Sequence, residues 1–478
     1  MQVLGHRAGR LLAAWTALGG LVALGPALWM WGFTVDDALI SVRYARHLAA
    51  GVGWRFDAGG PSTDGVTPLP WPLLLVPLAR GAAALTVLWR AKALGLFAWT
   101  AAGALLGRAA GRVEATTWAR VAALATLGLS VPVAAYAVSG METAIATSLA
   151  TCAAISLEHP RRAALFAGLA AAMRPEMAAW ACVFAIGAAF VDGRDPRKCL
   201  GAAAIALGPF VACALIRAIV WGRPAPLALL AKPSDLEHGL RYAGAACVVT
   251  LAPLLVLAPV AVARTPRALV LVVAGLAHVA ALIAVGGDWM PYARLMVPVV
   301  PSLVYAAVLA SAHAHWAATA LRSAMALGLG AVLVARGGTS GRTNGADREA
   351  LVARAEPWLA PSRRVAALDV GWVSAATEAD IVDLAGVTDP EIAVLPGAHT
   401  AKRVDARFLL ARAPDALLIY APYGLPPRGL AAWRDARPAY AVEARLMDED
   451  VIARRFAPAA WLPLGHLGGG YVLLRAQP

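Results

Sequence analysis

Apolar stretches of the length a bilayer demands, about 17 to 25 residues, recur along the first two thirds of this chain. They lie near 11–31, 84–107, 118–137, 141–157, 198–221, 240–263, 267–285, 292–312 and 315–335. A run at 162–191 is too long for one span and is interrupted by Arg174-Pro175-Glu176, which splits it into two short helices. A shorter run at 68–79 brings the expected total to about ten to twelve helices. Composition agrees: 60% of residues are hydrophobic and 15% charged, against roughly 45–50% and roughly 25% in soluble proteins. The fold class expected is therefore mainly α, a polytopic transmembrane helical bundle over residues 1–335.

The net charge of +13 does not point to nucleic acid, because many of the arginines sit in short loops between apolar runs. Basic residues beside helix ends mark the cytoplasmic side. His6, Arg7 and Arg10 place the N-terminus inside, and His159 to Arg162, Arg194 to Lys198, and Arg264 with Arg267 fall on the same side. Counting from these anchors puts Glu142, Arg174 to Glu176, Arg223 to Lys232 and Gly286 to Arg294 on the external face, with Asp36-Asp37. Parity does not close between 66 and 118. The first apolar run lacks a small-residue cleavage site and reads as a retained span. The five cysteines lie within or at the ends of apolar runs, which fits small buried hydrophobes and gives no disulfide framework.

Composition changes at Arg336. Residues 336–350 hold the polar segment GGTSGRTNGADRE and read as a linker. Residues 351–478 read as a soluble α/β domain, with strands at Val365–Leu368, Ile381–Leu384, Ala416–Tyr420 and Tyr471–Leu474 and helices near 347–356 and 404–413.

Polar chemistry concentrates in the first external loop, 32–67. Asp36 and Asp37 sit where the first helix would leave the bilayer, and ionisable groups there are costly and tend to have a job. Arg43 follows Asp36 by seven residues, about two helical turns, so both fit one face of an amphipathic helix on the membrane surface. A carboxylate and a guanidinium facing one cavity suit deprotonation of a hydroxyl beside a held phosphate. Tyr44 and Asp64 belong to the same loop. Further along, Glu142 opens an apolar run, where it also reads as a helix N-terminal acid. Arg174 and Glu176 inside an apolar stretch call for a polar cavity or for each other. Asp288 and Arg294 flank a turn beside Trp289, an interfacial anchor by type, and Lys232 suits a phosphate or snorkelling to the interface. In the C-terminal domain, Asp369, Asp383, Asp389 and His399 fit an acceptor-glycan clamp, or, for the acids, helix caps after strands.

The segments DDALISVRYARHLAAGVGWRFDAGG, DGVTPLPW, SGMETA, MRPE, PAPLALLAK, GGDWMPYARLMVPVVP and LDVGWVSAATEADIVDLAGVTDPEIA occur in an order that resembles a group of bacterial membrane glycosyltransferases. The chain looks like the GT-C superfamily, in the branch of the mycobacterial terminal β-(1→2)-arabinofuranosyltransferase, over about 34 to about 415. The resemblance implies a GT-C-like bundle, a polyprenyl-phosphate sugar as donor, a glycan, glycolipid or protein acceptor, and an extracytoplasmic C-terminal domain on the bacterial cytoplasmic (inner) membrane. It makes Asp36 or Asp37 the catalytic base and gives the donor phosphate to Arg43, Arg174, Lys232 and Arg294. Tyr44, Asp64, Glu142, Glu176, Asp288 and His399 are then sugar or acceptor contacts. A divalent cation (Mg, Mn or Ca), if one is used, falls to Asp36 and Asp37. The chain departs from the pattern at Asp64-Gly65-Val66-Thr67, where relatives carry Glu-Gly-Tyr-Thr, and at Pro224-Ala225-Pro226, where they carry Pro-Asn-Thr. These departures leave the sugar open. The expectation is an inverting transferase; the alternative is a transporter or flippase of a lipid-linked saccharide.

Overall fold

The computed structural model describes residues 2–232, 235–339, 341–425 and 429–477, without the side chains of residues 2–8 and Leu467. The His6 and Arg7 side chains used for sidedness therefore lie outside what is described. Among the described residues, six helices are long and apolar enough to cross a membrane: Gly9–Trp29, Ala84–Arg112, Pro175–Gly193, Pro196–Trp221, Pro266–Ala284 and Trp316–Gly337. A seventh arises if Thr117–Gly128 and Val131–Ala137, bent by 60° at their junction, count as one span. This is the pattern of a multi-pass membrane protein, with fewer spans than the expected ten to twelve.

The shortfall has local causes. The 240–263 run breaks into Leu236–Val249, Leu251–Val256 and Pro259–Ala263, the last opening on a proline that cannot continue a preceding helix. Of the 292–312 run, only Val300–Ser311 is α-helical, after a 3-10 turn at Val297–Val299. Thr143–Ile155 has 13 residues and Pro70–Ala79 has 10, both short of a bilayer. The 162–191 run does divide at Arg174-Pro175-Glu176, into Pro160–Met173 and Ala178–Gly193 with a 3-10 turn between.

The chain forms two compact units, and neither ends where composition changes. The first comprises Met1–Phe33, Lys92–Leu215 and Ser234–Arg342; the second comprises Thr34–Ala91, Ile216–Pro233 and Thr343–Pro478. In the first unit the core is built largely of alanine, with Trp180 stacked on Phe184 at a centroid distance of 4.9 Å. Alanine and glycine let backbones approach, as in small-xxx-small packing. A Cβ at Gly107 would stand 2.8 Å from the Cα of Gly19. Lys92, 1% exposed, donates to the carbonyls of Trp31 (2.6 Å) and Phe33 (2.9 Å), satisfying acceptors just beyond the end of the first helix.

The second unit contains a five-stranded sheet ordered β2-β1-β3-β5-β4. Its strands are β1 (Arg364–Ala367), β2 (Asp380–Asp383), β3 (Ala416–Ala421), β4 (Phe456–Pro463) and β5 (Gly470–Ala476). β1 pairs parallel with β2 and β3, while β5 is antiparallel to both β3 and β4. Four strands match the sequence expectation. β4 escaped it because Pro458 and Pro463 read as breakers; it is an edge strand, where proline is tolerated, and its register shifts between Pro458 and Ala460. The 336–350 linker contracts, since one helix runs to Gly337 and the next, Asn344–Leu359, already contains Asp347 and Arg348.

After β2, the carboxylate of Asp383 organises the turn. It accepts from the backbone N–H groups of Ala385, Gly386 and Thr388 and from the Thr388 hydroxyl. Asp389 then caps Pro390–Ala393 through the N–H groups of Glu391 and Ile392. Both acids are thus used in turns and caps. Replacing Asp383 with alanine strands four donors in a fully buried turn, and we expect a loss of about 1–3 kcal/mol. Pulse proteolysis of the full chain in detergent would read it as earlier cleavage within the C-terminal domain.

Candidate functional site

Helix Asp36–Ala49 carries two acids in its first turn and Arg46 and His47 in its last, the order the helix dipole favours. It does not lie open on a surface: Ala38 through Ala45 are buried without interruption, and the helix packs on Pro70–Ala79 and Val370–Ala376. Asp36 and Arg43 do not share a partner. Asp36 Oδ2 accepts from the N–H of Gly371 (2.8 Å), and its Oδ1 accepts from the N–H of Trp372 (2.8 Å) and from Arg348 Nη1 (3.1 Å). Arg43 donates to the carbonyls of Phe56 (2.6 Å), Thr377 (3.1 Å) and Ala379 (2.7 Å) and meets Asp57 at 3.4 Å. One carboxylate therefore holds the start of helix Val370–Ala376, and a guanidinium seven residues later holds the carbonyl just past its end. All three nitrogens of Arg43 are engaged, which takes it off the list of phosphate ligands.

Asp36 stands in a cluster of acids. Burial pushes its carboxyl up to about 7, Arg348 opposes that, and Asp369 and Asp37 reinforce it. Asp369 is raised by burial as well, and Tyr471 donates to it at 2.5 Å. Asp37 is half-buried beside Asp36. Among the described residues no group of three or more His, Cys, Asp or Glu is placed to hold a metal ion. The Asp36 donor set does not suit a divalent cation: its oxygens already face two N–H groups and a guanidinium.

The other loop residues are structural. Tyr44 is buried, exchanges a 2.7 Å hydrogen bond with the Thr63 hydroxyl and accepts from the N–H of Gly65. A Cβ at Gly65 would overlap the Tyr44 hydroxyl and Thr388. Asp64 pairs at 2.8 Å with buried Arg217, whose other nitrogen donates to the carbonyls of Val66 and Thr67. Lys232 is half-buried at the end of helix Leu227–Ala231, and His399 is half-buried in the turn before Thr400.

In the first unit, Arg174 bridges Glu142 (2.7 Å) and Glu176 (2.6 Å), all within the bundle interior. Arg294 pairs with Asp288 at 2.7 Å and points Nη1 at the sulfur of Met141. The internal Arg174–Glu176 pair was legible in the sequence. Glu142, thirty-two residues away, was not expected as its second partner. Two guanidiniums here face three carboxylates, so this arrangement is not electropositive.

Sequence reasoning missed Arg348, which lies in what reads as a linker, and it missed Gly371, Trp372, Glu443 and Tyr471. Only LDVGW hinted at the first pair, through an acid directly before a short apolar run.

Two substitutions test these arrangements. A Cβ at Gly371 would collide with the Asp36 backbone carbonyl, so Gly371→Ala should separate the two helices and expose 370–376 to hydrogen exchange in the full chain. Arg174→Met leaves two buried carboxylates unpaired, a cost of about 3–5 kcal/mol; the detergent-solubilised protein should unfold several degrees earlier, and the added change Glu142→Gln should recover part of that.

Residues 345–472 match a family model described as a domain of unknown function, DUF8728. The match takes in Arg348, Asp369, Gly371, Trp372 and Tyr471, and it excludes Asp36 to Arg43. No curated protein and no solved structure matches the chain.

Proposed function

We propose that this chain is an inverting glycosyltransferase that moves a sugar from a polyprenyl-phosphate carrier to a cell-envelope glycan, glycolipid or protein, on the external face of a bacterial inner membrane. The observation that carries the reading is the fixed carboxylate pair. Asp36 is held by two backbone N–H groups and Arg348, and Asp37 is carried beside it on the first turn of the same helix. The resemblance of the chain's motif order to GT-C enzymes adds the substrate class.

In this reading Asp36, whose oxygens meet three donors, is the positioning residue, and Asp37, half-buried on the same helical turn, is the base. Asp37 takes the proton of the acceptor hydroxyl. The oxygen attacks the anomeric carbon in line, the carbon–oxygen bond to the phosphate breaks, and the polyprenyl phosphate leaves with the electron pair. Inversion follows from the single displacement. Lys232 remains the cation assigned to the departing phosphate, while the paired guanidiniums of the bundle are given no step.

A second reading, a transporter of a lipid-linked saccharide, is favoured by one observation. The helix break at Arg174-Pro175-Glu176 with its buried ion network is the kind of discontinuity transporters place at a binding site.

Purified protein offered a panel of short-chain polyprenyl-phosphate sugars with envelope extract decides between them. Transfer should fall about 10²- to 10⁴-fold in Asp37→Asn with the fold intact. In Asp36→Asn it should fall together with protection of the 370–376 segment. Binding without transfer by the wild type, under every donor, favours the transporter. The pH profile follows from Asp36. Its carboxyl is raised to about 7, so the charged clamp forms as pH rises through that value, and transfer should rise with it. Arg348 lowers the Asp36 pKa, so Arg348→Gln should move that limb to higher pH.

A further inference from the structure

The two ends of the five-stranded sheet differ in charge. Asp369 directly follows β1, so the carboxylates around Asp36 stand where that strand finishes. Where β1, β3 and β4 begin, the chain carries arginines instead. Arg363 and Arg364 lead into β1, Arg412 precedes β3, Arg454 and Arg455 lead into β4, and Arg475 pairs across from both Ala416 and Ala457.

A cavity of about 350 Å³ opens at this basic end, lined by Leu410, Ala413, Pro414, Val451, Arg454 and Arg455. Its size falls within the roughly 300–1,000 Å³ of small-ligand sites. One wall is the stop of helix Ala406–Ala411: Ala413 takes a left-handed φ of 46°, its N–H donates to the Leu410 carbonyl, and Pro414 cannot extend the helix. The other wall is helix Asp450–Arg455. Pro414 is buried and Leu410 half-buried, which gives an apolar floor, while Val451, Arg454 and Arg455 are exposed at the rim. Arg454 makes no hydrogen bond or ion pair among the described residues, and Arg455 spends one nitrogen on the carbonyl of Gln477. The neighbouring acids are committed. Asp415 accepts from the N–H groups of Arg363 (2.5 Å) and Arg364 (3.0 Å), and Asp450 pairs with Arg434 at 3.2 Å. Asp448 and Glu449 precede the helix, at its opposite end from the two arginines.

Two adjacent guanidiniums offer two charges and more N–H donors than one carboxylate can accept, which suits a tetrahedral oxyanion. The floor beneath them gains from covering by hydrocarbon. We infer that this cavity binds a phosphate ester, with its apolar body on Leu410 and Pro414 and its phosphate against Arg454 and Arg455. A bilayer phospholipid and a soluble ester share that chemistry. The inference does not rest on the transferase reading, since the cavity stands at the end of the sheet away from Asp36.

The test is isothermal titration of the full-length protein, in nanodiscs of zwitterionic lipid, with butyl phosphate and, for comparison, inorganic phosphate and butyrate. Butyl phosphate should bind more tightly than either comparison, with an affinity that falls as salt is raised. Arg454→Gln should weaken it about tenfold or more. Val451→Glu, which sets a carboxylate at an exposed rim position, should abolish it, and size-exclusion behaviour checks the fold of each variant. No binding of butyl phosphate, binding no tighter than that of inorganic phosphate or butyrate, or equal binding by wild type and both folded variants overturns the inference. Nanodiscs that also contain phosphatidate identify the source. Weaker binding of butyl phosphate there, and not beside oleate, assigns the cavity to a lipid headgroup; unchanged binding assigns it to a soluble ester.

Discussion

A carboxylate and a guanidinium seven residues apart hold the two ends of one short helix, and the second unit is organised around that arrangement. Seven residues of α-helix rise about 10 Å, which matches the seven residues of Val370–Ala376. Asp36 supplies negative charge where that helix presents unsatisfied N–H groups, and Arg43 supplies donors at the carbonyl that follows it. Each charge also complements the helix dipole at its end. The helix has no side-chain cap of its own: Asp369, at its N-cap position, makes no capping hydrogen bond and is bonded to Tyr471 instead. A residue more than three hundred positions away does the capping.

The same loop protects the edge of the sheet. β2 is an edge strand, and unpaired edge groups invite aggregation. Asp57 accepts from the N–H of Ile381, and Arg43 donates to the carbonyl of Ala379, so side chains of the first loop stand in for a missing neighbour strand. Burial pushes Asp57 up to about 7 against the pull of Arg43. The loop that reads as catalytic therefore spends most of its polar residues on architecture: Tyr44, Asp57, Asp64 and Arg43 all have fixed partners within the second unit.

What was legible follows from what local sequence encodes. Four of the five strands and two of the helices of the C-terminal domain, Asn344–Leu359 and Ala406–Ala411, were read from short apolar runs between turn residues, because strand propensity and turn chemistry act over a few residues. The number of spans was overestimated because hydropathy averages over windows and does not register breaks at Thr250, Pro259 or Pro298 inside apolar sequence. Arg348 was passed over because GGTSGRTNGADRE looks flexible by composition, yet Arg348 finds a buried carboxylate at the opposite end of the chain. Long-range partners leave no periodic trace. The pairing of Arg217 with Asp64, 2.8 Å apart and 153 residues removed in sequence, is hidden for the same reason.

Stability and, in the proposed transferase, chemistry make competing demands on Asp36. As a cap it must stay charged, since protonation surrenders the attraction to Arg348 and weakens acceptance from two N–H groups. Yet burial beside Asp369 and Asp37 makes that charge expensive and brings its ionisation near neutrality. The cap at Asp389 likewise has a basic partner, with Arg412 3.5 Å away, and likewise stands near another acid, Glu391. Asp36 and Asp369 share the field of Arg348, and Asp37 adds to the repulsion between them, which the fold offsets through the Tyr471 hydroxyl and the helix terminus. Perturbed carboxyls of that kind occur both in functional sites and in structural ion-pair networks, and the proposed transferase places them in the first class. Asp37 is kept beside Asp36 by the rigidity of one helical turn, so the helix that Asp36 fixes against Val370–Ala376 also fixes the second carboxylate.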